Sequence, residues 1–232
     1  MGVNGGPGSE AAGAPPATLS VAALAFCRSG ETVFSDVTFV AGAGEVLQIQ
    51  GANGSGKTTL LRVLAGLLRP SAGTIRWHGA DTMQHPEEWR RSLAYLGHAN
   101  AVSRELTVVE NVRFAARLGA AIAGGATDPC SEHQVLGRLG LAACENRAAG
   151  ALSQGQQRRV ALARLLLDHK PVWLLDEPTA GLDAESARVI GACIEEHVGR
   201  GGIVVLTTHR RIDTVAAVTR HFHFERTGTC SL

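Results

Sequence analysis

The sequence has almost no excess of charge of either sign: 22 Lys and Arg stand against 21 Asp and Glu, a net of +1 over 232 residues. A nucleic-acid partner calls for a strongly basic surface, so none is expected. No apolar run reaches the roughly 18 to 20 residues that a membrane helix needs, and the chain is not expected to cross a bilayer by itself. Cysteine is sparse and scattered, at Cys27, Cys130, Cys144, Cys193 and Cys230, with no CxxC pair. That odd, dispersed set excludes a disulfide framework or a cysteine zinc site and predicts reduced thiols in a cytosolic protein. The start lacks both the basic residues and the apolar stretch of a secretory signal, and Gly6 stands where a myristoylation signal wants Ser or Thr. Large apolar side chains are nearly missing from residues 1–18, which hold five glycines and three prolines. Such a segment cannot offset its ordering entropy by burial and is expected to be a floppy tail. Internal repeats are absent too.

What is present is globular. The length of 232 residues allows one large domain or two small ones, and hydrophobic residues at 45% against 19% charged ones are enough to bury a sizeable core. Short apolar runs at 19–25, 33–40, 46–50, 74–77 and 93–97 read as strands. Residues 58–68 have helical periodicity, with Leu60, Leu61, Leu64 and Leu68 on one side and Pro70 just beyond. The stretch from about 104 to 168 reads as mostly helical: Thr107 and Glu110 form a capping box, Asp128-Pro129 opens a second helix, and 119–127 is a small-residue loop between them. Runs at 172–175 and 203–206 are apolar throughout, as in strands buried on both faces of a parallel sheet, and alternate with helices at about 184–198 and 211–218. The ending, 221–225, alternates like an exposed strand. The fold class is α/β with a helical insertion near the middle.

Three constellations carry chemistry. Gly51-Ala52-Asn53-Gly54-Ser55-Gly56-Lys57-Thr58 matches GxxxxGK[ST] at every position, between a strand and a helix. Its glycines let successive N–H groups point at one anion, while Lys57 is placed to bridge the β- and γ-phosphates of a bound nucleotide and the Thr58 hydroxyl to hold Mg²⁺; Thr59 continues the nucleotide-binding stretch. Asp176 and Glu177 end an apolar strand, and in a parallel sheet the strand ends face the ligand crevice. Asp176 suits the Mg²⁺ shell, and Glu177 suits activation of the attacking water. His209 ends the next buried strand, where an imidazole reaches the γ-phosphate or the water. The third constellation is Leu152-Ser153-Gln154-Gly155-Gln156, in which Ser153 and Gln156 make a second capping box and leave an anion-binding helix end facing outward.

The order of phosphate loop, LSQGQ, LLDEP, Thr179-Ala180-Gly181-Leu182-Asp183 and TTH resembles the ATP-binding-cassette (ABC) ATPases over about 19–226. The resemblance implies a P-loop NTPase core with an antiparallel β subdomain and a helical subdomain at about 98–168, leaving 227–232 as a short tail. It also implies a head-to-tail homodimer in which Leu152–Gln156 completes the partner's ATP site and Asp183 lies at the seam; Asp183 also reads as the N-cap of the helix at Ala184. Strings such as 47–51 (LQIQG), 93–98 (LAYLGH) and 156–164 (QQRRVALAR) look like the CcmA group of cytochrome c maturation. That likeness implies a peripheral subunit on the cytoplasmic face of the inner membrane, serving a CcmB-like permease in haem export or release of a haem chaperone. Other ABC exporters are the alternative; soluble ABC ATPases of ribosome or DNA usually carry tandem cassettes or a long coiled-coil insertion, absent here.

Two positions depart from the pattern. His98 replaces the usual Gln and, because Mg²⁺ disfavours nitrogen ligands, is expected to act through water or to sense the membrane partner. Ala99-Asn100 follows where that group has Gln-Pro. No adenine-stacking aromatic stands near Cys27-Arg28; Arg28 offers its guanidinium plane instead, or is an ordinary surface arginine. His221 and His223 share one strand face but lack a third ligand, which favours a plain solvated strand over a metal or haem site.

Overall fold

The computed structural model describes residues 18–123, 129–208 and 218–224. Strands β1 (Thr18–Arg28) and β2 (Glu31–Gly42) form a hairpin whose two turn residues, Ser29 and Gly30, both have positive φ, as a tight hairpin with right-handed strand twist requires. The same device, at His78-Gly79, joins β4 (Ala72–Trp77) to β5 (Ala80–Asp81). Together they make an antiparallel sheet in the order β2-β1-β4-β5.

The second sheet is parallel throughout, ordered β6-β7-β8-β3-β9, from β3 (Glu45–Gln50), β6 (Leu93–Leu96), β7 (Val172–Asp176), β8 (Ile203–Thr208) and β9 (Val218–His223). Its side chains alternate between two separate cores, which is why the central runs read as continuously apolar. Leu47, Val172, Leu174, Ile203 and Val205 pack toward the antiparallel sheet, α1 (Lys57–Leu64) and α2 (Pro86–Ser92). Val46, Trp173, Leu175, Val204 and Leu206 face the opposite core, built from α3 (Val108–Ala123), α4 (Pro129–Arg138), α5 (Gln154–Asp168) and α6 (Ala184–Gly199).

Several boundaries differ from the sequence reading. Helix α1 stops at Leu64, not Leu68, because Gly66 takes a left-handed φ of 70° while Gly66 and Leu67 donate back to Val63 and Arg62. That is a Schellman ending, which consumes the last carbonyls of the helix. Helix α3 continues through 119–123, where the sequence suggested a loop; Ala120, Ala121 and Ala123 are the strongest helix formers and outweigh Gly119. The seven residues of α2 are too short for a periodic signal, and Pro86 at its start is their one local mark. The expected helix at 211–218 lies outside the described residues up to 217, and Val218 opens β9. Residues 1–17, 124–128 and 225–232 lie outside them as well, and with them most of the expected N-terminal tail, the rest of the expected loop at 119–127 and the expected short tail at 227–232. Among the described residues no helix is long and apolar enough to cross a membrane, and no disulfide forms.

Candidate functional site

The site is built where β3, β7 and β8 end side by side, with Gln50 opposite Thr208 and Asp176 opposite Thr207. From Gln50 the chain curls through 51–56 into α1. Gly56 makes the curl possible with a φ of 106°, and a Cβ there would sit 2.8 Å from a Val33 methyl; at Gly51 a Cβ would run into the Phe224 carbonyl. No side chain caps α1 and no acidic residue occupies its first turn, so its N–H groups stay directed at whatever fills the curl. Lys57 is 5% exposed and donates from Nζ to the carbonyls of Gly51 and Ala52, at 2.8 and 2.9 Å.

Asp176 is 1% exposed. Its Oδ1 accepts from the Thr58 hydroxyl at 3.1 Å and the Thr207 hydroxyl at 2.7 Å, whereas its Oδ2 is buried with no hydrogen-bond partner. An orphaned carboxylate oxygen beside a threonine hydroxyl is an oxygen donor set suited to a hard divalent cation. Glu177 follows in a left-handed conformation, φ 47°, held by its N–H to the Thr207 carbonyl at 3.2 Å and to the Thr207 hydroxyl at 3.0 Å. A cavity of about 340 Å³ brings together Arg28, Val33, Asn53, Lys57, Thr58 and Glu177, with Gly54, Gly56 and Thr59 also on its wall.

The remaining sequence-predicted residues are placed elsewhere. Ser153 caps α5 with both halves of the box made, Gln156 N–H to Ser153 Oγ at 3.2 Å and Ser153 N–H to Gln156 Oε1 at 3.0 Å. Leu152 is buried. Gly155 lies against α6: a Cβ there would be 2.7 Å from Ser186 Oγ. Asp183 caps α6 by accepting the Ser186 N–H at 2.7 Å, and that bond holds its carboxyl below the usual range. Gln154 approaches Gly181 in the loop before that cap. His98 is exposed and His209 lies outside the described residues. His221 Nδ1 is 3.3 Å from the Gln50 amide nitrogen, and among the described residues no cluster of three metal-ligating side chains exists there or elsewhere.

Residues 34–180, more than half of the sequence, match the ABC transporter family. The chain belongs to the ABC transporter family. It is 50% identical over 223 residues to the cytochrome c biogenesis ATP-binding export protein CcmA of Paraburkholderia xenovorans (strain LB400), covering 90% of this chain and 98% of that one. It is 43% identical to the CcmA of Dechloromonas aromatica (strain RCB), over 84% of this chain and 94% of that one. Among solved structures, an ATP-binding subunit of an ABC transporter superposes with a TM-score of 0.76 at 26% identity, covering 89% and 85% of the two chains. An ABC transporter ATP-binding protein from Pyrococcus furiosus gives 0.77 at 25%, covering 90% of this chain and 100% of that one.

In this ABC family member two residues at the site escaped the sequence reading. Thr207 bonds both Asp176 and Glu177; in sequence it is only the first residue of the TTH string, with no role of its own. Arg158, 5% exposed, donates to the carbonyls of Asp176, Pro178 and Gly97 and to Asn100 Oδ1. In sequence it is one arginine in a helix that reads as amphipathic.

Proposed function

We propose that this chain binds and hydrolyses ATP as the peripheral ATP-binding subunit of an ABC exporter, acting on a separate membrane subunit in cytochrome c maturation, in haem export or release of a haem chaperone. The observation that carries the reading is the buried, half-satisfied Asp176 beside Thr58 and the amide curl of 51–56. This sits in a chain half identical, over nearly its full length, to a cytochrome c biogenesis export protein.

In this reading the N–H groups of 51–56 and the start of α1 cradle the triphosphate, and Lys57 exchanges its carbonyl partners for the β- and γ-phosphates. The Thr58 hydroxyl and the free oxygen of Asp176 hold Mg²⁺, which supplies charge neutralisation on the phosphoryl oxygens. Glu177 orients and deprotonates the attacking water, and His209 steadies that water or the γ-phosphate. Arg28, on the cavity wall, stacks its guanidinium plane on the adenine. The closed unit is a head-to-tail homodimer: the α5 tip, Leu152–Gln156, completes the other subunit's site, Asp183 lies at the seam, and exposed His98 senses the CcmB-like permease. The subunit works on the cytoplasmic face of the inner membrane.

The test is ATP turnover by the purified chain, alone and reconstituted with the membrane subunit of a cytochrome c maturation system. Turnover that rises with that subunit, and not with an unrelated permease, is the expected result; turnover indifferent to both defeats the transporter assignment.

A further inference from the structure

Arg158, in the second turn of α5, is buried yet has no part in the chemistry above. Buried guanidinium groups are usually neutralised by a carboxylate. Here four bonds go to neutral acceptors: Nη2 to the Asp176 carbonyl at 2.8 Å, Nε to the Pro178 carbonyl at 3.2 Å, and Nη1 to the Gly97 carbonyl at 2.8 Å and to Asn100 Oδ1 at 3.1 Å. The first two acceptors flank Glu177 in the chain. The other two lie in the loop that leaves β6.

We infer that Arg158 is a positioning residue that fixes the 176–178 backbone, and with it the Glu177 carboxylate, in register with the 97–100 loop through Asn100. This deepens the ATPase reading and rests on it. The physical need is visible in the backbone: Glu177 sits at a positive φ that a non-glycine residue keeps only when its surroundings hold it. Thr207 holds the N–H of that residue, and Arg158 holds the carbonyls on either side. Burial lowers the guanidinium pKa to about 10, with the Asp176 charge opposing the shift, so the group stays charged and keeps all its donors at neutral pH. A lysine carries the charge but not the planar fork, and one ammonium cannot span acceptors on two segments. Asn100 also borders a groove of about 390 Å³ beside Leu118 of α3. A shift of that loop therefore reaches Glu177 through a single side chain.

The experiment is steady-state ATP hydrolysis by the full chain, with ATP affinity from a fluorescent nucleotide and folding from thermal unfolding. Arg158→Lys is expected to lower kcat about ten- to a hundredfold while ATP affinity stays within about twofold of wild type. Asn100→Ala is expected to lose about two- to tenfold in kcat, and the double variant to be no slower than Arg158→Lys alone, since both act through one guanidinium. A wild-type kcat in Arg158→Lys, a loss of affinity in step with turnover, or losses that multiply in the double variant would overturn the inference. If Arg158→Lys does not fold, Asn100→Ala carries the same test through its kcat and affinity. A wild-type chain without hydrolysis defeats the ATPase reading and this inference with it; a hydrolysing chain indifferent to Arg158→Lys defeats only the inference.

Discussion

Lys57 is held by two carbonyls of its own loop, those of Gly51 and Ala52, which keep the ammonium inside the curl that precedes α1. Lys57→Ala is expected to weaken ATP binding about ten- to a hundredfold, the size of a lost charge-assisted hydrogen bond, as read by nucleotide titration. Glu177→Gln removes only the proton acceptor and keeps the shape. It is expected to retain ATP while hydrolysis falls about a hundredfold or more; unchanged turnover would take Glu177 out of its role. The phosphate loop and both capping boxes were legible because each is a contiguous string that acts on nearby backbone, and Asp176-Glu177 because the pair closes an apolar run at a strand end. Thr207 and Arg158 were not, because their partners lie tens of residues away in the chain and leave no local pattern.

Helix boundaries follow the hydrogen bonds that end them more than the periodicity that fills them. The Schellman turn at Gly66 cuts α1 short of Leu68, and alanines carry α3 past the glycine that suggested a break. At α6 the Asp183 cap is a measurable contribution: Asp183→Ala is expected to lower the midpoint of chemical denaturation, before any effect on assembly. The far end of α6 carries an acid sensitivity. His197 stacks on Trp173 of β7, ring centroids 4.0 Å apart and 8° from parallel, and Gly202 is the residue that leaves room for it. Burial lowers the His197 pKa from 6.5 to about 4. The unfolded chain therefore takes up the proton first, so full stability is present above pH 6.5 and is lost progressively as pH falls toward 4. His197→Phe keeps the stack and lacks the proton site; its melting temperature is expected to drop less than that of wild type between pH 7 and pH 5.

Two cores on opposite faces of one parallel sheet hold the curl of 51–56, on the α1 side, and the capped tip of α5, on the other. None of Leu152–Gln156 lines the cavity that holds Lys57 and Glu177. Under the proposed function that separation makes a second copy necessary to complete each site. Glu177→Gln with ATP is accordingly expected to elute as a dimer and the nucleotide-free chain as a monomer; a monomer in both conditions would refute the sandwich.

Residue identity alone determined the α/β class, the glycine-rich curl before α1, the carboxylates at a strand end and the family, because short-range sterics and capping act within a few positions. Folding decided which distant groups meet there: Thr207 over Asp176, Arg28 on the cavity wall and Arg158 between two loops. Those contacts depend on strand order and on which face of the sheet a helix covers, properties of the packed whole that no contiguous segment encodes.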